Sequence, residues 1–224
     1  MKTFNIITRV LSILTALTAL VLFIFFNKSE GKYFGSTLSV LISSIAIFLV
    51  TYIPKFLSDR NIVISKLMFG IILLSFIFSM GGGFIFRFYV IFNYYDTIIH
   101  FINGAILVIV VFVIVYFYAE EPDKHIIPII LISVLGAISL GTLWEIYEFL
   151  VDSIFTGSNM QRFQDVKTGI DFVGQRALKD TMVDLIVDTL GAILGGLLLY
   201  MDSISKKEFI NSIILREIKV ENNN

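Results

Sequence analysis

The chain is 224 residues long, 57% hydrophobic and 16% charged, with a net charge of −1 and no cysteine, and its mean hydropathy is +0.88. Soluble chains run at about 45–50% apolar and about 25% charged, so these figures exclude a water-soluble enzyme, a nucleic-acid binder and a disordered tail. Disulfides and thiolate metal sites are excluded as well. At roughly 20 apolar residues per crossing, the length accommodates about six spans and no separate soluble domain.

The expected fold class is all-α, a polytopic transmembrane helical bundle that forms one integral membrane domain. Span one is expected at about 6–26. Its exit, Phe25-Phe26-Asn27-Lys28-Ser29-Glu30, offers no small-x-small cleavage site, which favours an uncleaved anchor over a signal peptide. Span two covers about 34–53 and stops at Pro54-Lys55. Span three covers about 62–80 and is expected to break at Gly81-Gly82-Gly83, because three successive glycines hold a helix poorly. The aromatic segment from Phe84 to Tyr95 carries Arg87 and is too short to cross, so it reads as re-entrant or interfacial.

Span four covers about 96–118. A charged loop with Glu120, Glu121, Asp123, Lys124 and an exposed His125 leads to an apolar stretch from Ile126 to Phe155. As a helix of some 45 Å that stretch exceeds a hydrocarbon core about 30 Å thick, so the crossing part is placed at about 126–150. A polar loop from Thr156 to Lys179 precedes span six at about 180–201. In the tail, 202–224, Ile210, Ile213, Ile214 and Ile218 share a helical face among Lys206, Lys207, Arg216 and Lys219. That pattern reads as a C-terminal amphipathic surface helix. With six spans, ten Lys and Arg fall on the side of the termini and seven on the other, a bias toward cytoplasmic termini.

Charges within the spans carry the functional information, since each is costly there and marks a site by default. Asp96 and His100 stand at i, i+4, on one helical face. Glu145, Glu148 and Asp152 follow Trp144 at i, i+3, i+7, and Asp180, Asp184 and Asp188 repeat every four residues. Gly191 and Gly195 extend that last stripe and allow another helix to approach closely. Span four begins, span five ends and span six begins on the same side, so all three clusters occupy one leaflet. Trp144, Tyr147, Tyr94 and Tyr95 are placed as an aromatic belt there.

Seven carboxylates and one histidine must share protons, pair with cations or hold metal. Arg87, Arg176 and Lys179 lie on the right side to neutralise part of the charge. An oxygen-rich set with one imidazole suits a divalent metal ion, Mg²⁺, Mn²⁺, Ca²⁺ or Zn²⁺. The expected ligands are His100, Glu145, Asp184 and Asp188, with Glu148 as the catalytic base that activates water. Asp96 would orient His100, although Asp96 and Asp180 at helix starts could also serve only as caps. Asn159, Gln161, Arg162 and Arg176 in the loop are expected to cover the site and contact a substrate phosphate. The glycine run lacks the lysine and Ser/Thr spacing of a phosphate cradle.

Asp96-x3-His100-Phe101-x2-Gly104, then Trp144-Glu145-x2-Glu148, then Asp180-Thr181-x2-Asp184 with Gly191 downstream, resembles the bacterial inner-membrane family that includes YjdF, over about residues 94–198. A looser likeness is to the VanZ-like teicoplanin-resistance family, with Glu148 at that family's Gln position and Asp188 at its Asn position. The resemblance implies an integral protein of the bacterial inner membrane with a link to the cell envelope, and assigns no reaction.

Three readings follow. The first is a metal-dependent hydrolase or transferase acting on a lipid or lipid-linked envelope substrate. The second is a non-catalytic envelope or resistance accessory protein, and the third a cation- or proton-coupled transporter. Nothing between Ile106 and Tyr116 or between Ile193 and Leu199 is charged, which suits a dead-end pocket better than a conduit. The expected partners are membrane lipids and no nucleic acid; whether the protein is an enzyme, and its oligomeric state, stay open at this level.

Overall fold

Within hydrocarbon, each backbone N–H and C=O must find its partner inside its own segment, so an apolar chain of this length is driven to helix. The computed structural model describes residues 2–26, 34–155, 158–165 and 168–217. It is an all-α bundle in which six helices are long and apolar enough to cross a membrane: Thr3–Phe25, Thr37–Ser58, Lys66–Ile85, Tyr95–Tyr118, Ile126–Ile154 and Lys179–Ser203.

Helix α1 (Lys2–Phe26) packs principally on α2 (Phe34–Val50). After a turn at Thr51-Tyr52 the chain resumes as α3 (Ile53–Ser58), with Pro54 in its first turn, where its missing N–H is no loss. The two residues of β1 (Ile62–Val63) precede α4 (Lys66–Phe76). Ser65 caps α4, its hydroxyl accepting from the Met68 amide at 3.0 Å.

The expected break at the glycines does not occur. The helix widens instead into a π-helical continuation over Ile77–Ile85 that runs through Gly81, Gly82 and Gly83. The chain turns only afterwards, at Arg87, which adopts a left-handed φ of 59°. The physical reason lies in what the glycines make room for. A Cβ on Gly82 would collide with the Tyr95 hydroxyl, and one on Gly83 with the Tyr89 ring. Tyr95 donates its hydroxyl hydrogen to the Phe78 carbonyl at 2.7 Å, inside the widened stretch. Span three is therefore shifted toward the C-terminus of its expected range, and Ile62–Val63 belongs to a strand.

The aromatic segment folds as a short helix, α5 (Phe88–Ile91), ahead of α6 (Tyr95–Tyr118), α7 (Ile126–Ile154) and, beyond the polar loop, α8 (Lys179–Ser203). These last three pack mutually and form the core of the bundle. Small residues set the closest seam, α6 against α8. A Cβ on Gly104 would strike the Asp188 backbone, and one on Gly191 the Phe101 carbonyl oxygen; at Gly195 it would lie 2.8 Å from the Ala105 oxygen. Toward the other end the seam fills with Val108, Phe112, Ala192 and Leu199, all fully buried.

The tail forms an amphipathic helix, α9 (Glu208–Ile213), but it is shorter than the sequence pattern suggests and faces inward. Ile210 and Ile213 are fully buried in the same core as Val108 and Phe112, because Asp202 turns the chain back by accepting from the amides of Phe209 and Ile210 at 3.2 and 2.9 Å. β2 (Arg216–Glu217) then pairs antiparallel with β1, while Lys207 reaches Asp123 at 2.9 Å. Ile218 and Lys219, assigned to the same face, lie outside the described residues, as do Lys28 and Thr156.

These ties settle which loops share an end. The tail meets both Ile62–Val63 and Asp123, and Asn5 and Arg9 near the N-terminus donate to the Thr51 carbonyl at 3.2 and 2.9 Å. The starts of α6 and α8 and the end of α7 are consequently together at the opposite end.

Candidate functional site

Asp96, His100, Glu145, Glu148, Asp184 and Asp188 are all less than a tenth exposed. They converge because α6, α7 and α8 each present one polar stripe to the common seam at the same depth. His100 stands at the centre. Its Nδ1 lies 3.2 Å from Asp188 Oδ2 and its Nε2 lies 3.6 Å from Asp96 Oδ1. Toward an ionised Asp188, which only accepts, Nδ1 must carry the hydrogen. One ligand atom each from Asp96, His100 and Asp184 lie within 4.8 Å of one another, close enough to share a single cation. Asp96, rather than Glu145 or Asp188, completes this tight group.

Glu145 and Glu148 form the α7 wall. Trp144 Nε1–H donates to Glu148 Oε1 at 2.8 Å. Glu145 is different: both of its carboxylate oxygens are buried with no hydrogen-bond partner among the described residues, and the Thr181 hydroxyl faces it without closing a bond. A buried acceptor left this way is unfavourable by about 1–3 kcal/mol; an ordered water, a proton or a cation would complete it.

The polar loop supplies the lid. Asp152 holds it down, accepting from the Met160 and Gln161 amides, each at 2.9 Å. Gln161 then donates to Thr181 Oγ1 at 2.9 Å. Arg162, at a left-handed φ of 47°, directs its guanidinium to Asp96 at 3.3 Å, to Asp180 at 3.5 Å and to the Tyr89 carbonyl at 3.3 Å. Asp96 and Asp180 are thus engaged by this arginine, each from the first turn of its helix, where the N-cap positions are Tyr94 and Leu178. Tyr89 closes the remaining side. Its phenol is pushed well above its ordinary pKa by burial first, and then by the negative charge of Asp96 and Glu148.

Two of the four loop residues expected to contact substrate stand elsewhere. Asn159 is spent on the loop itself, exchanging hydrogen bonds with the Gln164 backbone at 3.0 Å. Arg176 stacks over the Phe172 ring, 3.8 Å from its centroid. Tyr89 and Asn103, by contrast, belong to the site's surroundings and were not singled out by sequence, since neither carries a charge that would mark it. The spacing signal that could have found Asn103 is its position three residues after His100.

Behind the cluster lies a cavity of about 290 Å³ between α4, α6 and α7, with His100 and Asp188 at one end and Val110 and Ile72 at the other. Away from His100, Asp188, Tyr89 and Trp144 its lining is apolar apart from a short ledge, where Ser75 Oγ–H donates to Asn103 Oδ1 at 2.7 Å and Asn103 Nδ2–H to Ser79 Oγ at 2.9 Å.

A family model described as "Predicted membrane protein (DUF2238)" matches residues 9–203, in agreement with the likeness of the motifs to YjdF-type membrane proteins. The chain is also similar to an uncharacterized protein of Thermotoga maritima, 32% identical over 122 residues, which is 52% of each chain. The chain thus spans about half the length of that curated relative. No solved structure matches.

Proposed function

Given that the chain belongs to the DUF2238 family of predicted membrane proteins, we propose that it is a metal-dependent hydrolase or transferase of the bacterial inner membrane, with cytoplasmic termini, acting on a lipid or lipid-linked envelope substrate. The observation that carries this reading is the tight Asp96, His100 and Asp184 group beside the buried carboxylate of Glu145. Six acids on three helices, with His100 and Arg162 as their ion-pair partners among the described residues, fit a divalent cation better than a closed structural network.

Asp96, Asp184 and His100 Nε2 would hold the metal, and Asp188 would keep the imidazole turned toward it. The metal, when bound, supplies Lewis acidity and a water that ionises near neutral pH. Glu145 and Glu148 are then the carboxylates left to hold or deliver a proton, Glu148 being aimed by Trp144. Arg162 sits where an anionic headgroup would arrive, and its forked donors suit a phosphate.

A conduit is less well supported, since the cavity beyond Asn103 has only apolar walls. A non-catalytic accessory role predicts folding without metal and no turnover. Elemental mass spectrometry of detergent-purified wild type beside Asp184→Asn tests the proposal. Near-stoichiometric metal in the wild type, lost in the variant, supports it, and lipid phosphates are then the substrates to screen. Absence of metal from both, with equal thermal stability, overturns it in favour of proton-sharing carboxylates.

A further inference from the structure

We propose that the cavity between α4 and α7 receives one hydrocarbon chain of a membrane lipid, entering sideways from the bilayer, while Asn103 binds the oxygen that joins this chain to its headgroup. The proposal rests on the reading of the cluster as a lipid-processing site and specifies how the lipid would lie in it.

Three observations converge on a lipid chain as the occupant. First, α4 and α7 each line the cavity yet pack little on one another, so the wall is incomplete on the side that faces lipid, where Leu140 is 41% exposed. Secondly, the cavity runs along α6 from His100 to Val110, ten residues or about 15 Å of helix. That is about half of a 30 Å hydrocarbon core, the depth of a single leaflet. Thirdly, polarity is graded along this axis. Of the acids, Asp188 alone lines the cavity, its carboxylate turned to His100 at 3.2 Å; Asn103 and its two serines lie one turn along α6 from His100, and Leu107 and Val110 lie beyond. A diacyl or prenyl lipid has the same order of headgroup, linking oxygen and chain.

Asn103 is suited to read the linkage. Its Oδ1 accepts from Ser75 and one Nδ2 hydrogen goes to Ser79, which holds the amide in place and leaves the second Nδ2 hydrogen for an acceptor in the cavity. Toward Leu107 and Val110 the lining is apolar, and a donor turned that way would be left unsatisfied; an ester, ether or phosphate ester oxygen supplies an acceptor.

Trp144 lines the cavity and is the only tryptophan of the chain, so its fluorescence reports occupancy directly. Full-length protein in dodecyl maltoside is titrated with phosphatidylglycerol whose acyl chains are dibrominated, bromine being a contact quencher. The expected result is quenching that saturates at a stoichiometric amount of lipid and is reversed by unbrominated phosphatidylglycerol. Val110→Phe fills the deep end and Leu140→Phe narrows the lateral opening, and each should abolish the saturable component. Asn103→Leu should retain the quenching but weaken binding several-fold, and should no longer discriminate between phosphatidylglycerol and a brominated alkane. Quenching that rises only in proportion to the brominated fraction of the micelle, equally in wild type and both cavity variants, overturns the proposal. The metal measurement is independent: saturable quenching in a protein without metal keeps the chain site and removes the enzymatic reading, while bound metal without saturable quenching does the reverse.

Discussion

His100 on α6 and Asp188 on α8 are joined by a 3.2 Å Nδ1···Oδ2 contact across 88 positions of sequence. The contact directs the other imidazole nitrogen toward Asp96, so a residue on the last span decides what the histidine of span four can bind. In Asp188→Asn, an oxygen acceptor is retained and the charge is lost. Metal affinity is expected to fall about 10–100-fold, with little change in the thermal midpoint. Titration of metal-stripped protein, followed by elemental analysis and thermal unfolding in detergent, checks both halves. Unchanged affinity would show that Asp188 does not orient the ring.

The seam between α6 and α8 makes a sharper stability prediction. A Cβ at Gly191 would be forced against the Phe101 carbonyl, whereas nothing lies within 4 Å of the position a Cβ would take at Gly70. Gly191→Ala is expected to destabilise by about 1–3 kcal/mol, as overpacking does, while Gly70→Ala, inside α4 and with open space around it, should be neutral or stabilising by up to about 1 kcal/mol. Parallel denaturation of the two variants is the measurement, and equal effects would refute the close approach.

Arg162 links the loop to two helices through Asp96 and Asp180. Its side chain is 30% exposed and that of Asp96 11%, between the surface and buried regimes, so Arg162→Ala is expected to lose about 1–2 kcal/mol. Arg162→Lys should recover only part of this, because an ammonium lacks the fork that reaches both carboxylates. Proteolysis of residues 158–165 should accelerate in the alanine variant and less in the lysine one.

At the other end of the bundle, Asp123 accepts from Lys207 and from the Tyr116 hydroxyl, each at 2.9 Å. Hydrogen bonds to Lys207 and then Tyr116 hold its carboxyl below the ordinary carboxylate range. A depressed pKa contributes stability that is present above the unfolded-state value and is lost as pH falls through the folded one. Docking of α9 should therefore be indifferent to pH from neutrality down to the ordinary carboxylate range and loosen only below it. Asp123→Asn should loosen it already at pH 7, as faster hydrogen exchange at the amides of Glu208–Ile213.

The sequence carries the architecture and the gathering of the acids because both follow from counting. Apolar run lengths give the spans, and parity places the start of span four, the end of span five and the start of span six together. Helical spacing then turns Asp96 with His100, Glu145 with Glu148, and Asp184 with Asp188 onto single faces. Pairing within the cluster was not legible. Which imidazole nitrogen meets Asp188 and which meets Asp96 depends on helix rotation, which no spacing rule supplies. The glycine run misled for a related reason: a propensity that weakens helices in water is overruled where the backbone has no alternative partner and two tyrosines fill the space left by the missing side chains. Asn159 and Arg176 have the chemistry of substrate contacts, but the loop's own hydrogen bonds and a ring stack engage them instead.

Among the six spans, α8 is the least apolar and carries Asp180, Asp184 and Asp188. For a nascent helix leaving the translocon alone, an aspartate near the centre is unfavourable by about 2.5–3.5 kcal/mol. The groups that receive these side chains, His100 and Arg162, are both synthesised earlier in the chain. Birth order thus makes α6 and α7 the cradle into which the last span is handed, and an α8 released before they are in place would have no favourable resting position in the bilayer.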